Sequence, residues 1–548
     1  MVYLYFNRKN EDTFLYPIFT AYLLPIRAFP YFFKIAVTEK RRVLTFFYIV
    51  CSYQLDQEYP TTLINTNLLK KPIMKKLLIA IVAIIVIFIG IIIVNTLSLS
   101  SHQVDSESLE QMDIPDMAVP NLASAVRFKT ISFSEEAVPD SIAFNGFHQF
   151  LKDTYPLVHQ NLTLEKINEY SLLYKWEGSD SSKKPIILLS HQDVVPVDQP
   201  TLNDWEAGPF EGKITESHII GRGTMDDKSS LMALMESVEL LLKESFTPKQ
   251  TIYLAFGHDE ELGGENGAKA IAAHLKAKGI QAAMTLDEGG FLADNMIPDF
   301  DKTVAMVNLA EKGYASFNLI VETGGGHSSA PPENNTLGML AQAIVDLENN
   351  QLPYKLVKPI DYQFEYMGAE MPFFKKMAFA NPWLFKAPVL KALNAHTTTA
   401  PTIIEGGVKD NVIPTVGKAT INFRILPGET IESVKEHIEE TVEDGVKVEL
   451  AGFATNPSPV SGIDSDAFKN LEKTIRSVFP ESVVVPGLIG GGTDARYFYD
   501  VSDDVYRFYP IRITPESFTR FHGIDEKIEI ENYKEMITFT YNLIKRFN

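Results

Sequence analysis

Three short, almost wholly apolar runs, at 186–190, 252–256 and 282–286, constrain the fold more than any other feature of this chain. They lack the alternation of a half-exposed strand and read as strands buried on both faces of a parallel sheet. Each run ends in ionisable residues: His191-Gln192-Asp193, then Gly257-His258-Asp259-Glu260-Glu261-Leu262-Gly263-Gly264, then Asp287-Glu288-Gly289-Gly290. In an open α/β sheet the groups that do chemistry gather outside the carboxyl ends of strands, so these clusters are placed to converge. Two further motifs bring the same residue types. Gly221-Arg222-Gly223-Thr224-Met225-Asp226-Asp227-Lys228 precedes Leu231, Met235, Val238 and Leu242 at helical spacing, which puts Asp226 at a helix start. Arg520-Phe521-His522-Gly523 precedes a final amphipathic helix.

His191, Asp226, Asp287 and His522, with one of the adjacent glutamates Glu260 and Glu261, are donors suited to zinc, cobalt or manganese. No thiolate competes, because the single cysteine is Cys51, far upstream. Two catalytic metals need about three protein ligands each, with room left for water. Five ligands meet that need only if one carboxylate bridges, and Asp226 is the candidate. Of the two glutamates, one binds metal and the other takes a proton from activated water and passes it to a leaving nitrogen. The sequence leaves their order open. Asp193 is placed to orient the His191 imidazole. Taken singly, an aspartate after a strand is usually a cap or turn residue, and a Glu-Glu pair a solvated helix start. It is the joint pattern that indicates a dinuclear hydrolase, with His258 outside the set.

The motifs Ser190-His191-Gln192-Asp193, Gly223-Thr224-Met225-Asp226-Asp227-Lys228, Glu260-Glu261, Asp287-Glu288-Gly289 and His522-Gly523 resemble the co-catalytic zinc family of aminoacylase, carboxypeptidase G and succinyl-diaminopimelate desuccinylase. The likeness runs from about residue 115 to the end. Thr397-Thr398-Thr399-Ala400, Gly407-Val408-Lys409-Asp410-Asn411-Val412-Ile413-Pro414 and Asn422-Phe423-Arg424 are similar to its carboxypeptidase S and N-fatty-acyl-amino-acid synthase/hydrolase branch. The resemblance implies two zinc ions, replaceable by cobalt or manganese. One would be held by His191, Asp226 and Asp287 and the other by Asp226, Glu261 and His522, with Glu260 as general base. It also implies an amide beside a free carboxylate as substrate. Such an anion favours the planar fork of arginine, which Arg424 supplies. Asn411 and the loop Gly490-Gly491-Gly492-Thr493-Asp494-Ala495-Arg496, in particular Gly492 and Thr493, are the accompanying donors. His327 matches a lid histidine that stabilises the oxyanion, often in the site of a neighbouring subunit, so a homodimer through the lid is expected.

The family pattern gives the expected fold class: an α/β catalytic domain with a mainly parallel sheet and flanking helices, interrupted by an α+β sandwich lid. We place the catalytic domain at 115–311 and 456–548 and the lid at 312–455. Within the lid, 418–426 and 446–450 read as strands and 430–442 as a helix. An aromatic and methionine-rich stretch at 364–393 is either a wall for a long acyl chain or ordinary buried core.

Lys75 and Lys76 precede 18 uninterrupted apolar residues, 77–94, just enough to cross a bilayer. We read 74–97 as an uncleaved signal anchor, with a cleaved signal peptide as the alternative. The upstream lysines put that side in the cytoplasm and the enzyme outside it, whether periplasmic, luminal or extracellular, and secreted if the segment is cleaved. Residues 98–114 read as a linker. Residues 1–73 read as upstream sequence before a natural start at Met74, or as a genuine extension. The net charge of −20 and the lack of a basic stripe exclude nucleic acid as a partner. The expected activity is metal-dependent hydrolysis, reversible to synthesis, of N-acyl amino acids or small peptides with a free carboxylate. A carboxypeptidase or dipeptidase of the same family is the alternative. A membrane-tethered, non-catalytic binder of acylated amino acids is the reading from another class, and the base beside the ligands argues against it.

Overall fold

The computed structural model describes residues 71–109, 112–134 and 137–548. The reading of 1–73 therefore falls, up to residue 70, outside the described residues. Four parallel strands form the centre of a ten-stranded sheet: Ile252–Gly257, Ile186–His191, Ala282–Asp287 and Ser502–Arg507, in that spatial order. The first three are the apolar runs. Ile186 and Leu188 pack on one face with Leu231, Val238, Phe468 and Met536 from the helices Lys228–Lys243, Asp466–Val478 and Ile530–Arg546. Ile187 and Leu189 pack on the other face with Ile271 and Leu275 of Ala268–Ala277. Burial on both faces explains why these runs carry no polar alternation.

Antiparallel strands Ser171–Trp176 and Thr163–Ile167 extend one side of this centre. On the other side Val304–Glu311 pairs next to Ser502–Arg507, and Val483–Ile489 adds to it in parallel. The carboxyl ends of the four central strands thus present His191, Glu260 and Glu261, Asp287 and Arg507 along one edge of the sheet.

Residue 312 alone separates Val304–Glu311 from Gly313–Glu322, which belongs to a second, four-stranded antiparallel sheet with Thr398–Gly406, Val416–Ile425 and Val446–Thr455. Ala315, Phe317, Leu319 and Val321 alternate inward and bury against helices Thr336–Asn349 and Ile431–Thr441. The latter helix starts at a capping box between Thr430 and Ser433. This is the α+β layer expected from 418–450, with the last strand running on to Thr455.

The stretch 364–393 forms three helices, Lys358–Glu370, Phe373–Ala380 and Pro382–Ala392. Phe364, Met367 and Met371 are buried in clusters with Phe300, Val485 and Leu390. Packing of this kind is core, and the outward-facing Phe373, Phe374 and Trp383 are exposed.

Behind the His191 motif, helix Ser141–Thr154 buries His148. Its Nε2 lies 2.8 Å from Gln192 Oε1, and Lys166 Nζ donates to its Nδ1 at 2.9 Å. A ring that accepts from an ammonium and donates to an amide oxygen is neutral. Burial, and then Lys166, push its pKa down to about 4 from 6.5. Between those two values the unfolded chain binds more protons, so stability falls as pH drops through this window, by up to about 3 kcal/mol. Urea unfolding in chelator should show a gap between wild type and His148→Gln that narrows from pH 7 to pH 4.5. A gap independent of pH contradicts this account.

Candidate metal centre

Asp226 lies between two histidines 331 positions apart in the sequence. His191 Nε2 is 2.9 Å from its Oδ1, and His522 Nε2 is 3.1 Å from its Oδ2. A carboxylate shared in this way presents one oxygen to each of two neighbouring positions, the geometry a bridging ligand needs. Glu261 Oε2 is 3.3 Å from His522 Nε2 and, with His191 and Asp226, brings its carboxylate within 4.8 Å of the other ligand atoms. A second group joins His191 to Asp227 and Glu288, with Glu288 Oε1 3.8 Å from His191 Nε2. Asp287 is buried beside them, its Oδ2 accepting from Ala495 N at 2.7 Å.

The scaffold holding these groups is itself polar. Asp193 Oδ1 lies 3.3 Å from His191 Nδ1, and its carboxylate accepts from Ser132 Oγ and from the backbone N–H groups of Glu260 and Glu261. Asp193 therefore sets the imidazole, through its backbone carbonyl at 3.0 Å and the nearby carboxylate, together with the start of the paired-glutamate turn. Glu526 accepts from the backbone N–H groups of Gly223, Met225 and Asp226 and pairs with Arg222 at 2.6 Å. Arg222 in turn donates to the carbonyls of His522 and Gly523. This clamp holds His522 at φ +56°, a left-handed backbone that bulky residues rarely adopt. A side chain at Gly523 would put its Cβ 2.3 Å from the Thr519 carbonyl oxygen.

Negative charge is in excess here. Burial pushes the Glu260 carboxyl well above the ordinary range, and Asp494, Glu261 and Asp226 add to it. Burial does the same to Glu288, reinforced by Asp226 and Asp227, and to Asp494, reinforced by Asp287. Hydrogen bonds to Asp226 and Glu261 lift His522 to about 10. Buried carboxylates at this spacing repel unless a cation lies among them. Two divalent ions fit the donor set of imidazole nitrogens and carboxylate oxygens.

The two adjacent glutamates face different ways. Glu261 turns to His522, while Glu260 lies 3.9 Å from Arg496. Both border a cavity of about 220 Å3 lined also by Tyr314, Arg424, Phe453, Gly492 and Arg496. Arg424 stacks on Tyr314 at 4.8 Å and donates to the Gly490 carbonyl. A second cavity, of about 210 Å3, opens on the Asp226, Asp227 and Glu288 side, with Phe291, Ile489, Tyr509, Phe518 and Phe521 in its wall. Gly492 borders both cavities, and Thr493 the second alone. No residue of 364–393 borders either one. Asn411 and His327 lie elsewhere, on an exposed two-stranded tip where Gly326–His327 pairs with Val412–Ile413.

Sequence reasoning placed Arg496 in the donor loop but assigned no role to Glu288, Glu526 or Arg507. Arg507 is fully buried and joins Glu311 at 3.1 Å, Thr493 Oγ1 and the Tyr499 hydroxyl, while Glu311 accepts from Thr493 N. Its signal was visible: an arginine inside the otherwise apolar run Val505-Tyr506-Arg507-Phe508 needs a buried partner. Glu288 gave no separate signal, since either of two adjacent carboxylates can follow a strand into a site.

Residues 187–546 match the sequence model of peptidase family M20/M25/M40. The probable carboxypeptidase S-like 2 of Dictyostelium discoideum is 42% identical over 437 residues, covering 77% of this chain and 83% of its own length. Human N-fatty-acyl-amino acid synthase/hydrolase is 38% identical over 435 residues, covering 77% of this chain and 86% of its own. A solved M20 family metallo-carboxypeptidase from Sulfolobus solfataricus shares the fold, with a TM-score of 0.60 at 19% identity over 79% of this chain and 99% of that one.

Because Glu288 Oε1 lies 3.8 Å from His191 Nε2 while Asp287 Oδ2 accepts from Ala495 N, Glu288→Gln should lower bound metal from about two ions per chain to about one, measured by elemental analysis after dialysis. Metal content unchanged in Glu288→Gln but halved in Asp287→Asn would return the ligand role to Asp287.

Proposed function

Because the chain belongs to peptidase family M20/M25/M40 and is a metal-dependent hydrolase of amide bonds, we propose that its substrates are N-acyl amino acids with a long apolar acyl group. The observation that carries this reading is the pair of unlike cavities beside the carboxylate cluster, meeting at Gly492. One holds Arg424 and Arg496 and suits a free carboxylate; the other is walled by Phe291, Ile489, Phe518 and Phe521 and suits an acyl chain. An amide between them lies against Asp226, Glu260 and Glu261. The name of the human relative, N-fatty-acyl-amino acid synthase/hydrolase, is in keeping with this substrate.

His191, Asp226, Glu261 and His522, together with Asp287 or Glu288, would hold two metal ions, which we take as zinc, with Asp226 as the bridge. Bound there, the metals supply Lewis acidity and an acidified water. Glu260 takes the proton of the attacking water and hands it to the departing amine. Asp193 holds His191 and the 260–261 backbone in register. Arg424 binds the substrate carboxylate, with Gly492 as a further donor in the same cavity, while Thr493, held by Glu311 and Arg507, borders the acyl side. His327 and Asn411 sit on an exposed tip, which supports their serving the site of a second copy; His327 then donates to the oxyanion. The exposed edge strand Thr398–Gly406 is the surface we assign to that homodimer. Run in reverse, the same groups condense a fatty acid with an amino acid.

The catalytic part comprises 115–311 and 456–548, with 312–455 as the lid. We read the helix Lys75–Ser98, whose mean hydropathy reaches 3.7, as the anchor that holds the enzyme on the extracytoplasmic face of a membrane. A carboxypeptidase acting on peptides is the second reading, favoured by the name of the Dictyostelium relative.

A panel of N-acyl amino acids from acetyl to oleoyl, run beside dipeptides with added zinc, separates the two. Catalytic efficiency should climb with chain length, and a flat profile refutes the acyl cavity. Phe518→Ala, at the cavity's edge, should lose about 1 kcal/mol, roughly fivefold, on the longest substrate and nothing on the acetyl one. Glu260→Gln should keep its metal yet lose turnover by roughly a thousandfold; activity near wild type would remove Glu260 from its role.

A further inference from the structure

The helices Phe373–Ala380 and Pro382–Ala392 meet at a corner that is fastened to the outer end of the apolar helix Lys71–Ser98. The buried Asn381 makes the joint. Its side chain accepts from Asn95 Nδ2 at 3.0 Å and donates to the Ile92 carbonyl and to Thr96 Oγ1. Trp383 meets Phe88 edge to face, with ring centroids 5.5 Å apart. Phe88 lies six residues before Val94, the end of the apolar run, which is about 9 Å along a helix axis. Any bilayer that covers 77–94 therefore also reaches Trp383.

The corner has the chemistry of a surface built for that depth. Phe374 is 79% exposed, Trp383 56%, Phe373 47% and Leu384 43%. Trp and Phe with neighbouring lysines are the residues that settle at the headgroup boundary, where lysine stems lie along apolar surface and their ammonium groups reach phosphate. In a chain of net charge −20, residues 371–392 hold Lys375, Lys376, Lys386 and Lys391 and no acidic residue. Lys375 is held by Asp299 at 3.5 Å, which leaves Lys376, Lys386 and Lys391 for the phosphate that every phospholipid headgroup carries.

We propose that the 373–392 corner is a second membrane contact, seated in the outer leaflet beside the anchor helix, with phospholipid as its occupant. This inference rests on the reading of 77–94 as a membrane anchor. The corner is tied to the enzyme on both sides. The preceding helix Lys358–Glu370 packs in one cluster with Val483 and Val485 of the strand that leads to the Gly490–Gly492 loop, and Lys312 Nζ donates to the carbonyls of Asn394 and His396 that follow it. Seating the corner thus fixes the catalytic part against the leaflet, where amphipathic acylated amino acids dissolve.

The chain has three tryptophans, and Trp176 and Trp205 are buried, so Trp383 is the reporter exposed to lipid. The full chain is reconstituted in phosphatidylcholine–phosphatidylserine vesicles whose acyl chains are brominated near the headgroup. The expected result is quenching of at least a fifth of the emission, abolished by Trp383→Phe and recovered when Phe374→Trp is added to that variant. Should Trp383→Phe fail to fold, Phe374→Trp in the wild type should add quenchable emission. Alkaline carbonate extraction scores the anchor separately. Protein that resists carbonate without Trp383-dependent quenching overturns the corner's role alone. Protein released by carbonate and unquenched overturns the anchor reading and the corner with it.

Discussion

The carboxyl edge of the central sheet gathers more negative charge than the chain's own cations balance. Asp226, Asp227, Glu260, Glu261, Asp287, Glu288 and Asp494 lie within one cluster, several with carboxyls pushed up by burial and by one another. A folded chain tolerates such a cluster only where histidines, arginines and bound cations offset the repulsion. The surrounding structure follows from that constraint. The imidazoles of His191 and His522 flank Asp226, and each ligand-bearing turn is braced by a buried polar partner.

Two ion pairs do most of that bracing, and both join segments far apart in sequence. Arg222–Glu526 locks the Asp226 turn to the His522 turn, so two ligands 296 positions apart keep one geometry. Arg507–Glu311 holds Thr493 beside the site at the point where the main sheet passes into the second one. Buried pairs of this kind add little net stability, but removing one partner strands a charge, which makes them fixing devices. The second sheet brings Arg424 over the Glu260 side by way of residue 312, so the arrangement of the two sheets sets the distance between the amide-cleaving groups and the anion-binding group.

Much of the fold was legible in sequence because parallel strands buried on both faces leave a distinctive apolar run. The strands at 186, 252 and 282 match those runs, and the lid helix Ile431–Thr441 lies within the 430–442 read from periodicity. Ser502–Arg507 was hidden because Ser502-Asp503-Asp504 begins it with polar residues at the sheet's end. The aromatic stretch at 364–393 carried two readings, and only packing separates them: Phe364, Tyr366, Met367 and Met371 fill the core with Phe379 and Phe385 packed against it, while Phe373, Phe374, Trp383 and Leu384 face outward.

The sequence by itself determined the donor types, their place after buried strands and the family to which they belong, because residue chemistry and apolar periodicity are local properties. Tertiary structure decided which carboxylates face each other. Whether Glu260 or Glu261 turns toward His522, whether Asp287 or Glu288 approaches His191, and where the apolar and arginine-lined cavities meet depend on backbone turns fixed by partners hundreds of residues away. Adjacent carboxylates are chemically alike; only the direction of their bonds from the folded backbone tells them apart.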